Sequence, residues 1–338
     1  PSPAALAPIS TVAITGGAGF VGRYMVRELI EQGYTVRALV RDREKAKQKL
    51  PSTGVNGKVQ LVLGDALDPA KVDELLSGAQ ACINLIGLLR EERAVGGGKA
   101  ITFRKAHVET TRTLVARCHE KQVRRYIQMS ALGVSPNGCC DYQKTKFEGE
   151  MIVRLCTLDW TIFRPGLIHG PDSGFIKMLG GILKGDDPPY WFAPYFTRGV
   201  EDKSVPLGGV KRIDPKAQPI AVEDVAKAFV GALTNEATLG EVYNLVGSEV
   251  LDWPSLLRFM RDELHADPIE PWGVPSEPAA TLAMVAEKLG LAGALPFDAG
   301  MARMGAQDTT AALEKVRVDL KLEPKPFRSL FRRYAQNV

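Results

Sequence analysis

The amino-acid sequence predicts an α/β fold, a doubly wound parallel sheet with helices on both faces. Three observations carry that prediction. Apolar runs of strand length alternate with amphipathic stretches of helical length over the first half of the chain. The longest apolar stretch, residues 81–89, is interrupted only by Asn84, which suits a strand covered on both faces and is far too short to span a bilayer. A glycine-rich segment, Thr15-Gly16-Gly17-Ala18-Gly19-Phe20-Val21-Gly22, joins the first apolar run to the first amphipathic stretch.

Taken in order, strands are expected near 11–15, 35–40, 59–64, 81–86, 125–130 and 159–164, with a seventh at 242–246. The clearest helices between them are 21–32, closed by Gly33, then 69–77, 103–121 and 143–156. The glycines between the first strand and helix have a steric and an electrostatic purpose. A diphosphate reaches the positive end of a helix dipole only where no side chain intervenes, so the segment predicts a dinucleotide pyrophosphate site. Gly16 serves the tight turn, Gly19 the close approach and Gly22 the packing of helix on strand. The spacing is three residues per step, unlike the Gly-x-Gly-x-x-Gly of most dehydrogenases.

The second strand ends at Arg41, where an NAD-specific site usually places an acidic residue on the ribose 2′-hydroxyl. A guanidinium pairs instead with a 2′-phosphate, and Arg43 and Lys45 add positive charge, so NADP(H) is favoured over NAD(H). Asp42 lies between them as the competing candidate for the acidic role.

At this point the chain resembles a known family. Thr15 to Gly22 is similar to the TGxxGFxG fingerprint of the extended and atypical branches of the short-chain dehydrogenase/reductase superfamily. Further matches are Gly64-Asp65, Ile83-Asn84-Leu85-Ile86-Gly87, Tyr142-x-x-x-Lys146, Phe163-Arg164-Pro165-Gly166, His169-Gly170-Pro171 and Ile220 to Ala226. They follow the family's order and cover about two thirds of the chain. Arg41, Ser130-Ala131-Leu132-Gly133 and Lys146-x-x-Gly149-Glu150 are most similar to the atypical group that contains the nucleotide-binding accessory subunit of respiratory complex I and its bacterial relatives.

The resemblance implies a Rossmann unit of residues 10–168 plus 222–248, interleaved with a smaller cap of 169–221 plus 249–338. It also implies a nicotinamide dinucleotide held by Gly16, Ala18, Gly19, Phe20, Val21, Gly22, Arg41, Arg43, Asp65, Ala66, Leu85, Ile86, Gly87, Ser130, Tyr142, Lys146, Pro165 and Ile168. Within that set Asp65 recognises adenine, Leu85 to Gly87 line the ribose, and Pro165 to Ile168 face the carboxamide.

Tyr142 and Lys146 lie one helical turn apart on one face, so an ammonium can stabilise a phenolate and let tyrosine donate or accept a proton near neutral pH. The resemblance assigns them these catalytic roles. Two departures weaken the constellation. The serine or threonine that orients a substrate carbonyl falls on Ala131 or Leu132, with Ser130 displaced to the strand end and towards the cofactor. The helix asparagine that supports a proton relay is replaced by His107, which reads more readily as a packed core residue.

The remaining composition bounds the function. At 338 residues and 45% hydrophobic, the chain can bury a large core, and a dispersed net charge of +4 gives no sign of nucleic-acid binding. Cys82, Cys118, Cys139, Cys140 and Cys156 form no even framework, and His107, His119, His169 and His265 no metal spacing, so no metal is expected. This usage suits a reducing compartment, the cytoplasm or an organelle matrix or stroma after loss of a targeting peptide. The apolar lead-in Pro1 to Ile9 lacks the regions of a signal peptide. Residues 184–219 read as a long loop around Tyr190-Trp191-Phe192 and Tyr195-Phe196. Helices are expected near 254–264 and 277–289, before a basic aromatic tail, Pro326 to Tyr334, read as a solvated helix face.

Two functions follow. The first is NADP(H)-dependent oxidoreduction of a carbonyl or alcohol, or epimerase-like chemistry on a sugar nucleotide, with an unidentified small-molecule substrate. The second is a catalytically weak NADPH-binding accessory or sensor subunit of a respiratory or other membrane-associated complex. Intact Tyr142 and Lys146 favour the first.

Overall fold

A computed structural model of the protein describes residues 8–51, 58–91, 100–202, 204, 209–266, 269–291 and 295–338. Most of the lead-in read at Pro1 to Ile9 therefore lies outside the described residues. Six of the seven strands of the central sheet are β1 (Thr11–Thr15), β2 (Thr35–Val40), β3 (Val59–Leu63), β4 (Ala81–Asn84), β5 (Arg125–Met129) and β6 (Asp159–Pro165). The seventh, Glu241–Leu245, pairs with β6, and the spatial order from that edge is β6, β5, β4, β1, β2, β3, all parallel.

Burial explains the apolar runs. Val12, Ala13, Ile14, Ala81, Cys82 and Ile83 have no exposed surface, and each large apolar side chain so covered contributes about 1.5–3 kcal/mol relative to exposure. On one face α1 (Phe20–Glu31) packs Met25, Val26, Leu29 and Ile30 against the sheet beside the helix Val222–Ala232. On the other, α3 (Pro69–Leu76) and α4 (Thr110–Glu120) cover Cys82, Tyr126 and Ile162. The strand order reverses between β1 and β4, which opens a crevice at their carboxyl ends.

Two sequence expectations need correction. Residues 184–219 are not a long loop: Phe192–Asp202 is a strand, antiparallel to Gly209–Ile213 and parallel to Glu270–Pro275. Its Pro194 is tolerated because pairing with Gly209–Ile213 begins only at Arg198, which leaves one side of the strand free at the proline. Second, 103–121 is not one regular helix, since Arg104–Glu109 forms a π-helical turn ahead of α4. The helix Gly174–Lys184 was not foreseen; Ser173 caps its start and Gly185, at φ +76°, ends it.

The tail folds as the helix Phe327–Tyr334. It buries Phe327, Phe331 and Tyr334 and turns Arg328 and Arg332 outward to Glu249 and Glu263. Among the described residues no helix is long and apolar enough to cross a membrane, and no group of side chains is arranged to hold a metal ion.

Candidate dinucleotide cleft and catalytic helix

The crevice at the strand-order reversal is a cleft of about 490 Å³. Its floor is fixed by Asn84, whose carboxamide oxygen accepts from Thr15 Oγ1 at 2.7 Å and from the Ile86 N–H at 3.1 Å, while its Nδ2 donates to Gln128 at 3.0 Å. These bonds tie β1 to β4 and set the course of the Leu85–Gly87 backbone. At the opening of α1, Gly16 adopts φ +74°, and a side chain at Gly22 would place its Cβ 2.2 Å from the Gly16 carbonyl oxygen. The glycine turn can therefore close on itself only without those side chains.

The cleft brings together Gly16, Ala18, Gly19, Arg41, Asp65, Ala66, Leu85, Ile86 and Gly87. Sequence reasoning missed Lys49 and Lys105 on its walls. Lys49 carried a usable signal, because Lys45 and Lys49 lie one turn apart on α2 (Arg43–Lys49), at the same four-residue step that separates Lys45 from Arg41 before the helix. Asp42 Oδ1 accepts from the backbone N–H of Lys45 at 3.0 Å and so caps α2, and that bond holds its carboxyl below the usual range. Arg43 turns away, donating to the Leu61 carbonyl at 3.3 Å. Asp65 accepts from the Leu67 N–H at 2.9 Å.

Other predicted residues support the cleft without lining it. Phe20 packs edge-on against Tyr24, and Val21 joins the core under α1. Pro165 ends β6 beside Leu245, and Ile168 pairs with Ile220. Ser130 donates to Glu150 Oε1 at 2.5 Å. The wholly buried Glu150 also accepts from Arg164 at 2.7 and 2.6 Å and from Arg154 at 3.0 Å.

Tyr142 and Lys146 stand on α5 (Asp141–Arg154). Lys146 is buried and donates from Nζ to the Met129 carbonyl at 3.1 Å, and a Cβ on Gly87 would meet the same Nζ at 2.9 Å. The ammonium thus lies against the cleft's rim. Burial pulls its pKa down to about 8, with Glu150 opposing the shift. Tyr142, half-buried, is held edge-on by Phe103 and His107 at ring separations of 5.8 and 5.4 Å. Its phenol is pushed up by burial, with the Cys140 sulfur adding to the effect, and its hydroxyl has no hydrogen-bond partner among the described residues.

This site has relatives. Residues 16–185 match the model of an NAD(P)H-binding family. The chain belongs to that family. It is an atypical short-chain dehydrogenase/reductase, with a fold shared by solved epimerases. It is 29% identical over 258 residues to NADH dehydrogenase (ubiquinone) 1 alpha subcomplex subunit 9, mitochondrial, of Arabidopsis thaliana, covering 75% of this chain and 58% of that protein. It is 31% identical over 169 residues to the ceramide reductase of Caulobacter vibrioides, covering 50% and 49%. The chain thus spans only about half to three fifths of the length of these curated relatives. The solved UDP-glucuronic acid 4-epimerase of Bacillus cereus, in complex with UDP-glucuronic acid and NAD, superimposes with a TM-score of 0.68. At 16% identity, over 96% of this chain and 99% of that one, it shares the fold.

Proposed function

We propose that this protein holds NADP(H), in preference to NAD(H), as a tightly bound and slowly turned-over cofactor. One observation carries the reading: just beyond β2, Arg41 lines the cleft with no carboxylate partner among the described residues, while Asp42 beside it is engaged through Oδ1 in capping α2. Lys45 and Lys49 stand on the same wall. A 2′-phosphate meets cations there, and the one acidic side chain beside them, Asp42, is turned to the Lys45 N–H and ammonium.

In the bound state the cofactor supplies hydride chemistry at its nicotinamide. The glycine turn accommodates the pyrophosphate, Leu85 to Gly87 line the ribose, and Lys146 reaches the rim beside Gly87. Tyr142 is the candidate proton donor. Its neighbours are poorly equipped for fast chemistry: Ser130 is bonded to Glu150, and the position that usually offers a hydroxyl to a substrate carbonyl is Ala131 or Leu132.

The similarity to mitochondrial NADH dehydrogenase subunits over three quarters of the chain supports an accessory or sensing role beside a membrane-associated complex. The intact Tyr142–Lys146 pair and the likeness to a ceramide reductase favour the second reading, oxidoreduction of a carbonyl or alcohol. Calorimetric titration with each dinucleotide tests the cofactor assignment. NADPH binding at least about tenfold tighter than NADH supports it, and equal affinities contradict it.

A further inference from the structure

Both ring nitrogens of His107 are committed, and the chemistry of their partners fixes the proton. The backbone N–H of Leu88 meets Nε2 at 3.2 Å, and an amide can only donate, so Nε2 is the acceptor. The ring proton therefore sits on Nδ1 and donates to Thr145 Oγ1 at 2.9 Å. That hydroxyl donates in turn to the Asp141 carbonyl at 2.6 Å. Phe103 stacks on one side of the ring at 5.6 Å and Tyr142 stands edge-on to it. The His107 carbonyl accepts from Thr111 at 2.7 Å, and a Cβ on Gly149 would lie 2.7 Å from the same oxygen. Neither ring nitrogen nor carbonyl is left to relay a proton.

What the arrangement can do is transmit position. Leu88 lines the dinucleotide cleft, whereas Thr145 sits on α5 between Tyr142 and Lys146 and does not line it. The imidazole spans the two, seated on the π-helical turn Arg104–Glu109. Burial and the nearby Lys146 charge keep the ring neutral, with its pKa pulled down to about 2.

We infer that His107 is a positioning residue that, as a fixed Nδ1–H tautomer, couples occupancy of the dinucleotide cleft to the placement of the helix carrying Tyr142. The inference rests on the cleft's reading as a dinucleotide site and is independent of turnover.

NADPH fluorescence titration of wild type, Thr145→Val, Thr145→Ser, His107→Phe and the Thr145→Val/His107→Phe pair tests it, alongside ¹⁵N NMR of the imidazole nitrogens. Thr145→Val is expected to weaken NADPH about fivefold, the effect of one lost neutral hydrogen bond, although Thr145 touches no part of the cleft. Thr145→Ser restores the affinity, and the double variant binds no worse than His107→Phe alone. NMR of wild type shows the neutral Nδ1–H form throughout about pH 5 to 9. Unchanged affinity in Thr145→Val, effects that multiply in the double variant, or a ring that titrates near its ordinary value each overturn the coupling. Wild type that binds neither dinucleotide overturns the cofactor reading and the coupling together, whereas wild-type binding with an unaffected Thr145→Val removes the coupling alone.

Discussion

Around Gly16 the cleft presents Arg41 and Lys49 without a carboxylate partner among the described residues, whereas around Tyr142 the neighbouring polar groups are bonded to the protein itself. At the other end Ser130 is engaged by Glu150, His107 by Leu88 and Thr145, and Lys146 by the Met129 carbonyl. The contrast teaches that one fold can keep the part of a site that binds while committing the part that reacts to internal structure.

The sharpest way to break the comparison is at the glycine turn. Gly22→Ala places a methyl 2.2 Å from the Gly16 carbonyl oxygen, so NADPH affinity should fall by a factor of about 100 or more. Retained affinity in a titration would remove the turn from the binding site. Arg41→Asp comes next, with an expected loss of about 10- to 100-fold for NADPH and little change for NADH; equal loss of both in parallel titrations would contradict the 2′-phosphate assignment. On the catalytic side, Tyr142→Phe should leave NADPH affinity within about twofold and abolish any residual turnover. Turnover that survives in a stopped-flow assay would exclude Tyr142 as the acid.

The two ends of the site also differed in how legible they were. The glycine turn, Arg41 and the strand alternation could be read because each depends on local sequence: a φ above zero, a strand end, a period. The commitments of Ser130 and His107 could not, since Glu150 lies 20 residues from one, and Leu88 and Thr145 lie 19 and 38 residues from the other. The Phe192–Asp202 strand was hidden for a related reason. Pro194 and Gly199 argue against a strand locally, and its partner Glu270–Pro275 lies far along the chain. Lys49 was the avoidable omission, because its spacing from Arg41 was in plain view.

A smaller effect separates the two ends by stability. Ser130→Ala removes one donor to a buried carboxylate and should cost about 1–3 kcal/mol in denaturant unfolding while NADPH affinity stays unchanged. A shift in affinity would return Ser130 to the cofactor. The buried histidines give a pH signature. His107 and His169 are held neutral by burial, with pKa values pulled down to about 2 and about 4. Below about pH 6.5 the unfolded chain binds protons that the folded one does not, so stability is full above that pH and falls beneath it. The slope is about 1.4 kcal/mol per pH unit for each histidine, His169 ceasing to contribute below its folded value. His169→Phe should flatten the profile between about pH 6.5 and 4, and an unaltered slope would show that His169 is not held neutral.

The most direct test of binding without fast chemistry is native mass spectrometry of protein purified without added nucleotide, followed by addition of varied carbonyl compounds under fluorescence observation. The account predicts copurified NADPH that stays reduced. Cofactor rapidly oxidised by any of these compounds, or a site that emerges empty and exchanges NADPH freely, would contradict it.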